Sequence, residues 1–202
     1  EKAGFPRGVV NLVSGKGAQL GDYLATHPGV DMLSFTGSTR VGKLLAQSAL
    51  GGVKRISLEL GGKSPFVWLP GIQDYRPAVR KLYDSIFMNT GQTCTALSRL
   101  VVPRSELAAI EAVLVEEAAR YTVGDTMDEA TLIGPLSSRA QFNKVKEYIE
   151  LGLQEGARLI LGEVPHHCDN GYYVKPTIFS DVKNAMRIAQ EEIFGPVLCV
   201  IP

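Results

Sequence analysis

Two residues of this sequence carry side chains suited to covalent catalysis, one as a nucleophilic thiol and one as a general base. Cys94 lies in the polar run Gly91-Gln92-Thr93-Cys94-Thr95. A cysteine kept for packing behaves as a small hydrophobe and has apolar neighbours. Cys94 instead has threonine on both sides, which predicts an accessible thiol that a partner backbone or a substrate can approach. Glu59 ends an alternating apolar stretch, Ile56, Leu58 and Leu60, within Ser57-Leu58-Glu59-Leu60-Gly61-Gly62. A carboxylate between leucines is expected to be partly desolvated, which suits proton abstraction. Taken singly, Cys94 also fits a structural thiol and Glu59 a strand-end glutamate in water.

A third candidate is the anion-binding turn Gly37-Ser38-Thr39-Arg40-Val41-Gly42. It falls where a strand hands over to a helix, and a helix start offers unpaired N–H groups and partial positive charge to a phosphate. Ser38 can cap that helix and Gly42 can let it approach a strand closely. The spacing Gly-x-x-x-x-Gly is not the dinucleotide fingerprint Gly-x-Gly-x-x-Gly, so an ordinary capped helix remains an alternative. Glu191-Glu192-Ile193-Phe194-Gly195-Pro196 reads by itself as a helix end and a turn. His166-His167-Cys168-Asp169 lacks a second ligand pair at zinc-like spacing and reads as a solvated loop.

The elements that must position these groups follow from periodicity. Strands are predicted at residues 9–13, 32–35 and 53–60, with helices between them over residues 20–27 and 41–49. Strand–helix–strand at this spacing implies right-handed crossovers in a parallel sheet. Gly61-Gly62-Lys63-Ser64-Pro65 breaks the pattern and marks a domain change, giving domains 1–60 and 61–202. Beyond it, strands are expected at 66–69, 100–102, 159–161, 172–179 and 197–201. Helices are expected from Asp74 to a left-handed cap at Gly91, and over 106–120, 138–156 and 185–190. The fold class is α/β: a Rossmann-like parallel-sheet portion followed by a second α/β domain.

Composition bounds the partners. The 202 residues include 21 basic and 21 acidic side chains, so no charge excess points to nucleic acid or an anionic membrane surface. No apolar run reaches membrane-spanning length. Three widely spaced cysteines, an odd number, favour free thiols in a reducing, cytoplasmic setting. A start without Met and an end in a strand-like run predict a piece of a longer chain.

Phe35-Thr36-Gly37-Ser38-Thr39, Glu59-Leu60-Gly61-Gly62-Lys63-Ser64-Pro65, Gly91-Gln92-Thr93-Cys94 and Glu191-Glu192-Ile193-Phe194-Gly195-Pro196-Val197 stand in the order and spacing of one family. In them the sequence resembles the NAD(P)-dependent aldehyde dehydrogenase superfamily, from Phe5 to Ile201. The resemblance implies that Cys94 is the nucleophile, with its backbone N–H as an oxyanion donor, and that Glu59 is the base for thioester hydrolysis. It implies cofactor contacts at Gly37, Ser38, Thr39, Gly42 and Leu60, at Glu192 on the nicotinamide ribose and at Phe194 near that ring. Gly17 and Ala18 match the adenine end more loosely. The implied cofactor is NAD or NADP, the substrate a small-molecule aldehyde, and the assembly a homodimer or homotetramer. An acyl-CoA-forming enzyme, whose branch characteristically lacks the water-activating glutamate, and a non-catalytic piece keeping the fold are the alternatives.

Overall fold

Helical spacing and strand alternation resolve into six α-helices and seven strands among the described residues of a computed structural model, which are 3–166, 168 and 170–202. They divide into two compact units, Glu1–Gly61 and Gly62–Pro202.

The first unit contains α1 (Gly17–Thr26), β1 (Met32–Thr36), α2 (Thr39–Ala49) and β2 (Arg55–Glu59). α1 stops where His27 leaves helical geometry just before Pro28, which cannot continue it. β1 and β2 run parallel, with Phe35 opposite Leu58 and Thr36 opposite Glu59, so α2 is the crossover between them. Lys54 Nζ donates to the carbonyls of His27 and Val30, both at 2.5 Å, and ties the approach to β2 to the end of α1.

The strand expected at residues 9–13 does not form: the segment is irregular, and Val10 and Leu12 are exposed. Its backbone is engaged locally instead. Val9 N–H donates to Pro6 O at 3.3 Å and Asn11 Nδ2 to Gly8 O at 2.8 Å, a turn that competes with strand pairing.

The second unit is an α/β/α sandwich. β3 (Pro65–Val67), α3 (Arg76–Ile86), β4 (Arg99–Val101) and α4 (Leu107–Ala118) come first. α5 (Arg139–Gln154), β5 (Arg158–Leu161), β6 (Thr177–Ser180), α6 (Arg187–Gln190) and β7 (Val197–Ile201) follow. The strand order is β3-β4-β7-β6-β5, parallel except for β5 against β6. The last strand in sequence is therefore the central one. Its period-2 alternation feeds both layers: Leu198 and Val200 pack with Val79, Leu82 and Leu114 of α3 and α4, while Val197 and Cys199 pack with Val145 and Ile149 of α5. A strand buried on both faces reads as a continuous apolar run, as 197–201 does. Tyr83 Oη donates to Leu114 O at 2.6 Å and fixes α3 against α4.

Two boundaries differ from expectation. The strand anticipated over 172–179 begins only at Thr177, because Pro176 has no N–H for a ladder. α3 ends at Ile86, with Phe87 N–H still bonded to Tyr83 O, so Gly91 caps no helix and closes a separate turn.

Candidate active site

The loop that carries Cys94 begins with an unusual backbone. Asn89, Thr90 and Gly91 are successive left-handed residues with φ of 52°, 58° and 73°. That region disfavours a side chain by about 1–2 kcal/mol per residue, and a β-branched threonine there is an outlier of the kind that collects at functional sites. The surroundings hold it in place. Thr90 is buried and its Oγ1 donates to Gly134 O at 3.2 Å; Asn89 Nδ2 donates to Gln92 O at 3.1 Å. Gln92 returns Nε2 to Asn89 O at 3.2 Å and accepts Ser137 N–H on Oε1 at 2.9 Å.

This clamp turns the chain so that Cys94 and Thr95 stand exposed in a turn closed by Ala96 N–H on Thr93 O at 3.2 Å, while Ala96 is buried. The Cys94 thiol is accessible, as its polar neighbours predict. Its backbone N–H has no acceptor among the described residues and is free to donate to an incoming oxygen.

Two segments back this loop through close backbone approach. A Cβ on Gly62 would lie 2.6 Å from Cys94 O, and one on Gly91 would lie 2.2 Å from Gly195 O. Gly62 thus seats the Cys94 peptide, and Gly91 seats the loop that carries Glu192 and Phe194. In that loop the adjacent acids separate by role. Arg187 (2.9 Å) and Tyr148 Oη (2.6 Å) bind the Glu191 carboxylate and hold it below the usual carboxylate range. Glu192 is half-buried and accepts only Gly62 N–H, on Oε1 at 3.2 Å, so Oε2 has no partner among the described residues. Phe194 adopts φ 62°, and Gln141 Nε2 braces it by donating to the carbonyls of Ile193 and Phe194 at 3.0 and 2.8 Å. Thr93, Ser98, Glu192 and Phe194 line one small cavity.

Beside Gly62, the Lys63 ammonium nitrogen is buried and makes no hydrogen bond among the described residues. Burial pulls it below the ordinary lysine range, against the attraction of Glu192 and with repulsion from Arg99 and Lys144.

The first unit holds the other candidates. Gly37 N–H donates to Glu59 O at 3.0 Å, closing the end of β1. Ser38 is the N-cap of α2, accepting Val41 N–H at 3.3 Å and leaving its own hydroxyl hydrogen for a ligand. Thr39 opens the helix, and a Cβ on buried Gly42 would lie 2.5 Å from Leu60 Cδ2, so Gly42 is where α2 meets the segment after β2. A groove of about 720 Å³ runs between α1 and α2, lined by Gly17, Ala18, Gly37, Val41 and Leu44 among others. Its lining is mostly apolar and includes residues at the start of α2, which fits the adenosine and phosphate portion of a dinucleotide.

Glu59 departs from expectation: it is exposed, because the alternation that half-buries Leu58 and Leu60 turns position 59 the other way. Cys94, Glu192 and Phe194 belong to the second unit and are brought together there. Gly37, Ser38, Thr39, Gly42, Glu59 and Leu60 belong to the first.

Sequence reasoning passed over Gly62 and Gln141. Gly62 was visible only as half of a glycine doublet. Nothing local marks Gln141, whose acceptors lie 52 and 53 residues away. No group of metal-ligating side chains occurs among the described residues. Of the 166–169 loop, His167 and Asp169 lie outside those residues.

A sequence model described as the aldehyde dehydrogenase family matches residues 1–202. The chain is 47% identical over 204 residues to 3-succinoylsemialdehyde-pyridine dehydrogenase of a Pseudomonas species, covering 100% of this chain and 43% of that protein. It superimposes with a TM-score of 0.94 and 46% identity on aldehyde dehydrogenase C of Pseudomonas syringae, a cysteine-to-alanine mutant crystallised with NAD+ and octanal. That match covers 99% of this chain and 41% of the other. The NAD+ complex of a Bacillus cereus aldehyde dehydrogenase gives 0.93 and 41% identity, over 100% of this chain and 40% of that one. The chain thus spans about two fifths of the length of these relatives.

Proposed function

This chain belongs to the aldehyde dehydrogenase family, and we propose that it carries the nucleophile and part of the cofactor site of an enzyme that oxidises an aldehyde to a carboxylic acid with NAD or NADP. The observation that carries the proposal is the Cys94 turn: an exposed thiol, a free Cys94 N–H, and a loop seated by glycine contacts beside Glu192.

The chemistry follows from those groups. The Cys94 thiolate adds to the aldehyde carbon, forming a C–S bond and moving the carbonyl π pair onto oxygen. The free Cys94 N–H donates to that oxyanion, the charge that develops in the transition state. As the oxyanion collapses back to a carbonyl, hydrogen leaves the carbon with its electron pair and a thioester remains on Cys94. NAD or NADP, when bound, supplies the hydride acceptor. Glu59 then takes a proton from water as the water oxygen attacks the thioester, the C–S bond breaks and Cys94 leaves as thiolate. Exposure of Glu59 suits contact with that water.

The remaining residues hold the cofactor. Gly37, Ser38 and Thr39 bind the pyrophosphate at the start of α2, with Gly42 and Leu60 setting where that helix lies. The free Glu192 oxygen accepts from the nicotinamide ribose, and Phe194 packs near the ring. A reducing, cytoplasmic setting and a homodimer or homotetramer belong to the same reading, and the three free thiols support the former.

An aldehyde panel with NAD and NADP tests the proposal. Cys94→Ser should abolish oxidation, and Glu59→Gln should slow acid release more than the first hydride burst. Equal loss of burst and steady-state rate in Glu59→Gln would refute the deacylation role. Turnover that requires free CoA would move the enzyme to the acylating branch.

A further inference from the structure

The small cavity beside the Cys94 loop brings two unpartnered oxygens to one place. Gly62, Thr93, Ser98 and Glu192 contribute to its wall, with Ile86 and Val197 among the apolar residues that complete it. Glu192 reaches it with its carboxylate, because Oε1 sits on Gly62 N–H at 3.2 Å and Gly62 is itself part of the wall. Oε2 has no partner among the described residues. Ser98 stands two residues before buried Leu100, so strand alternation turns both toward α3, whose Ile86 shares the cavity. The Ser98 backbone is engaged: its N–H donates to Ala96 O at 2.9 Å and its carbonyl accepts Cys199 N–H at 3.0 Å. Its hydroxyl has no partner among the described residues.

The size of the space selects what fits. It offers about 10 Å³ to a water-sized sphere, room for one water molecule and too little for a substrate or cofactor group. Apolar cavities stay dry, whereas an enclosed water makes about three hydrogen bonds to polar groups that otherwise lack partners. Three are on offer here. Glu192 accepts, Ser98 donates its hydroxyl hydrogen, and Thr93 Oγ1 keeps its lone pairs because it gives its hydrogen to Met88 O at 3.5 Å.

We infer that this cavity is a site for one ordered water, and that Ser98 acts through it as a positioning residue for the Glu192 carboxylate. The water donates to Glu192 and to Thr93 and accepts the Ser98 O–H. It therefore joins three segments: the Glu192 loop, the turn that presents Cys94, and the entry to β4. Gly62 alone leaves the carboxylate free to turn about a single 3.2 Å bond, and a second anchor fixes it. Lone pairs remain for a ribose, since a carboxylate has about four and Gly62 and the water take two. The positioning role rests on the reading of Glu192 as the ribose acceptor; the water site does not.

A high-resolution crystal structure of the wild type and steady-state kinetics of the enzyme test the two parts separately. The crystal structure should show one water within about 3.2 Å of both Ser98 Oγ and a Glu192 carboxylate oxygen. An empty cavity, or a direct bond between Ser98 and Glu192, would overturn the inference. Ser98→Ala removes the hydroxyl, and Ser98→Cys replaces it with a weak donor of similar size. Each should raise KM for NAD by about threefold to tenfold, more than it lowers kcat. In a Glu192→Ala background, Ser98→Ala should raise KM no further, because the carboxylate it positions is gone. Additive losses, or a wild-type KM in both Ser98 variants, would overturn the positioning role. A wild-type KM for NAD in Glu192→Ala itself would sink the ribose reading, and the positioning role with it, leaving the crystallographic water to stand or fall alone.

Discussion

Replacing Gly91 by alanine should be among the most damaging single-methyl changes in the second unit. Two effects add. The residue sits at φ 73°, where a Cβ costs about 1–2 kcal/mol. The added carbon would also lie 2.2 Å from Gly195 O, 2.3 Å from Gly195 C and 2.7 Å from Pro196 N, all backbone atoms with no rotamer to change. Ordinary contact starts near 3.4 Å, so the loop must withdraw by about 1.2 Å. Overpacking of this kind costs about 1–3 kcal/mol. The sum is about 2–5 kcal/mol, a large share of a domain's stability. Gly156 supplies the control: at φ 84°, its added Cβ would meet nothing within 4 Å. Gly156→Ala should therefore show the conformational cost alone, about 1–2 kcal/mol. Urea unfolding followed by fluorescence of Trp68, the single tryptophan and buried in this unit, reads both variants. A Gly91→Ala loss no larger than that of Gly156→Ala would refute the close-approach argument. Where Gly91→Ala still folds, a displaced Glu192 loop should lower turnover by about 100-fold.

Other perturbations follow from the charges. Folded Lys63 releases its proton more readily than an unfolded lysine, so between the two values the unfolded chain binds more protons and stability rises with pH up to the ordinary lysine range. Lys63→Met should be at least as stable as wild type near neutral pH and should lack that alkaline rise in a urea series; a clear loss of stability would mean that the ammonium is paired. Glu117 on α4 is nearly inaccessible, and Arg80 (2.7 Å) leads in holding it below the usual carboxylate range, with Arg120 and Arg76 assisting. Its folded value is depressed, so its contribution is present above the unfolded value and is lost as pH falls through the folded one. Glu117→Gln should therefore be less stable than wild type at neutral pH and converge on it in acid. A gap that persisted in strong acid would assign the loss to packing.

Elements with a strong local pattern were legible in the sequence. α2, α3 and α5 bury one helical face each, and 197–201 is buried on both faces of a sheet. The end of a strand pattern was less so, because a ladder needs a partner: 9–13 has β-branched residues, but its backbone bonds locally. Glu59 shows the same limit. Its neighbours in sequence are apolar, yet alternation sends successive side chains to opposite sides.

The sequence by itself determined the chemical inventory and its register: a thiol between threonines, a glutamate before a glycine doublet, a capped turn after a strand, and an acid pair before Phe194-Gly195-Pro196. Those are properties of residue type and spacing, which the chain carries without folding. Only the tertiary structure decided which member of each set is available. Arg187 and Tyr148 occupy Glu191 and leave Glu192 an open oxygen. Gly62 and Gly91 proved to be contact surfaces. Such assignments depend on atoms brought together by packing two sheet faces and two helices, and no local pattern encodes those distances.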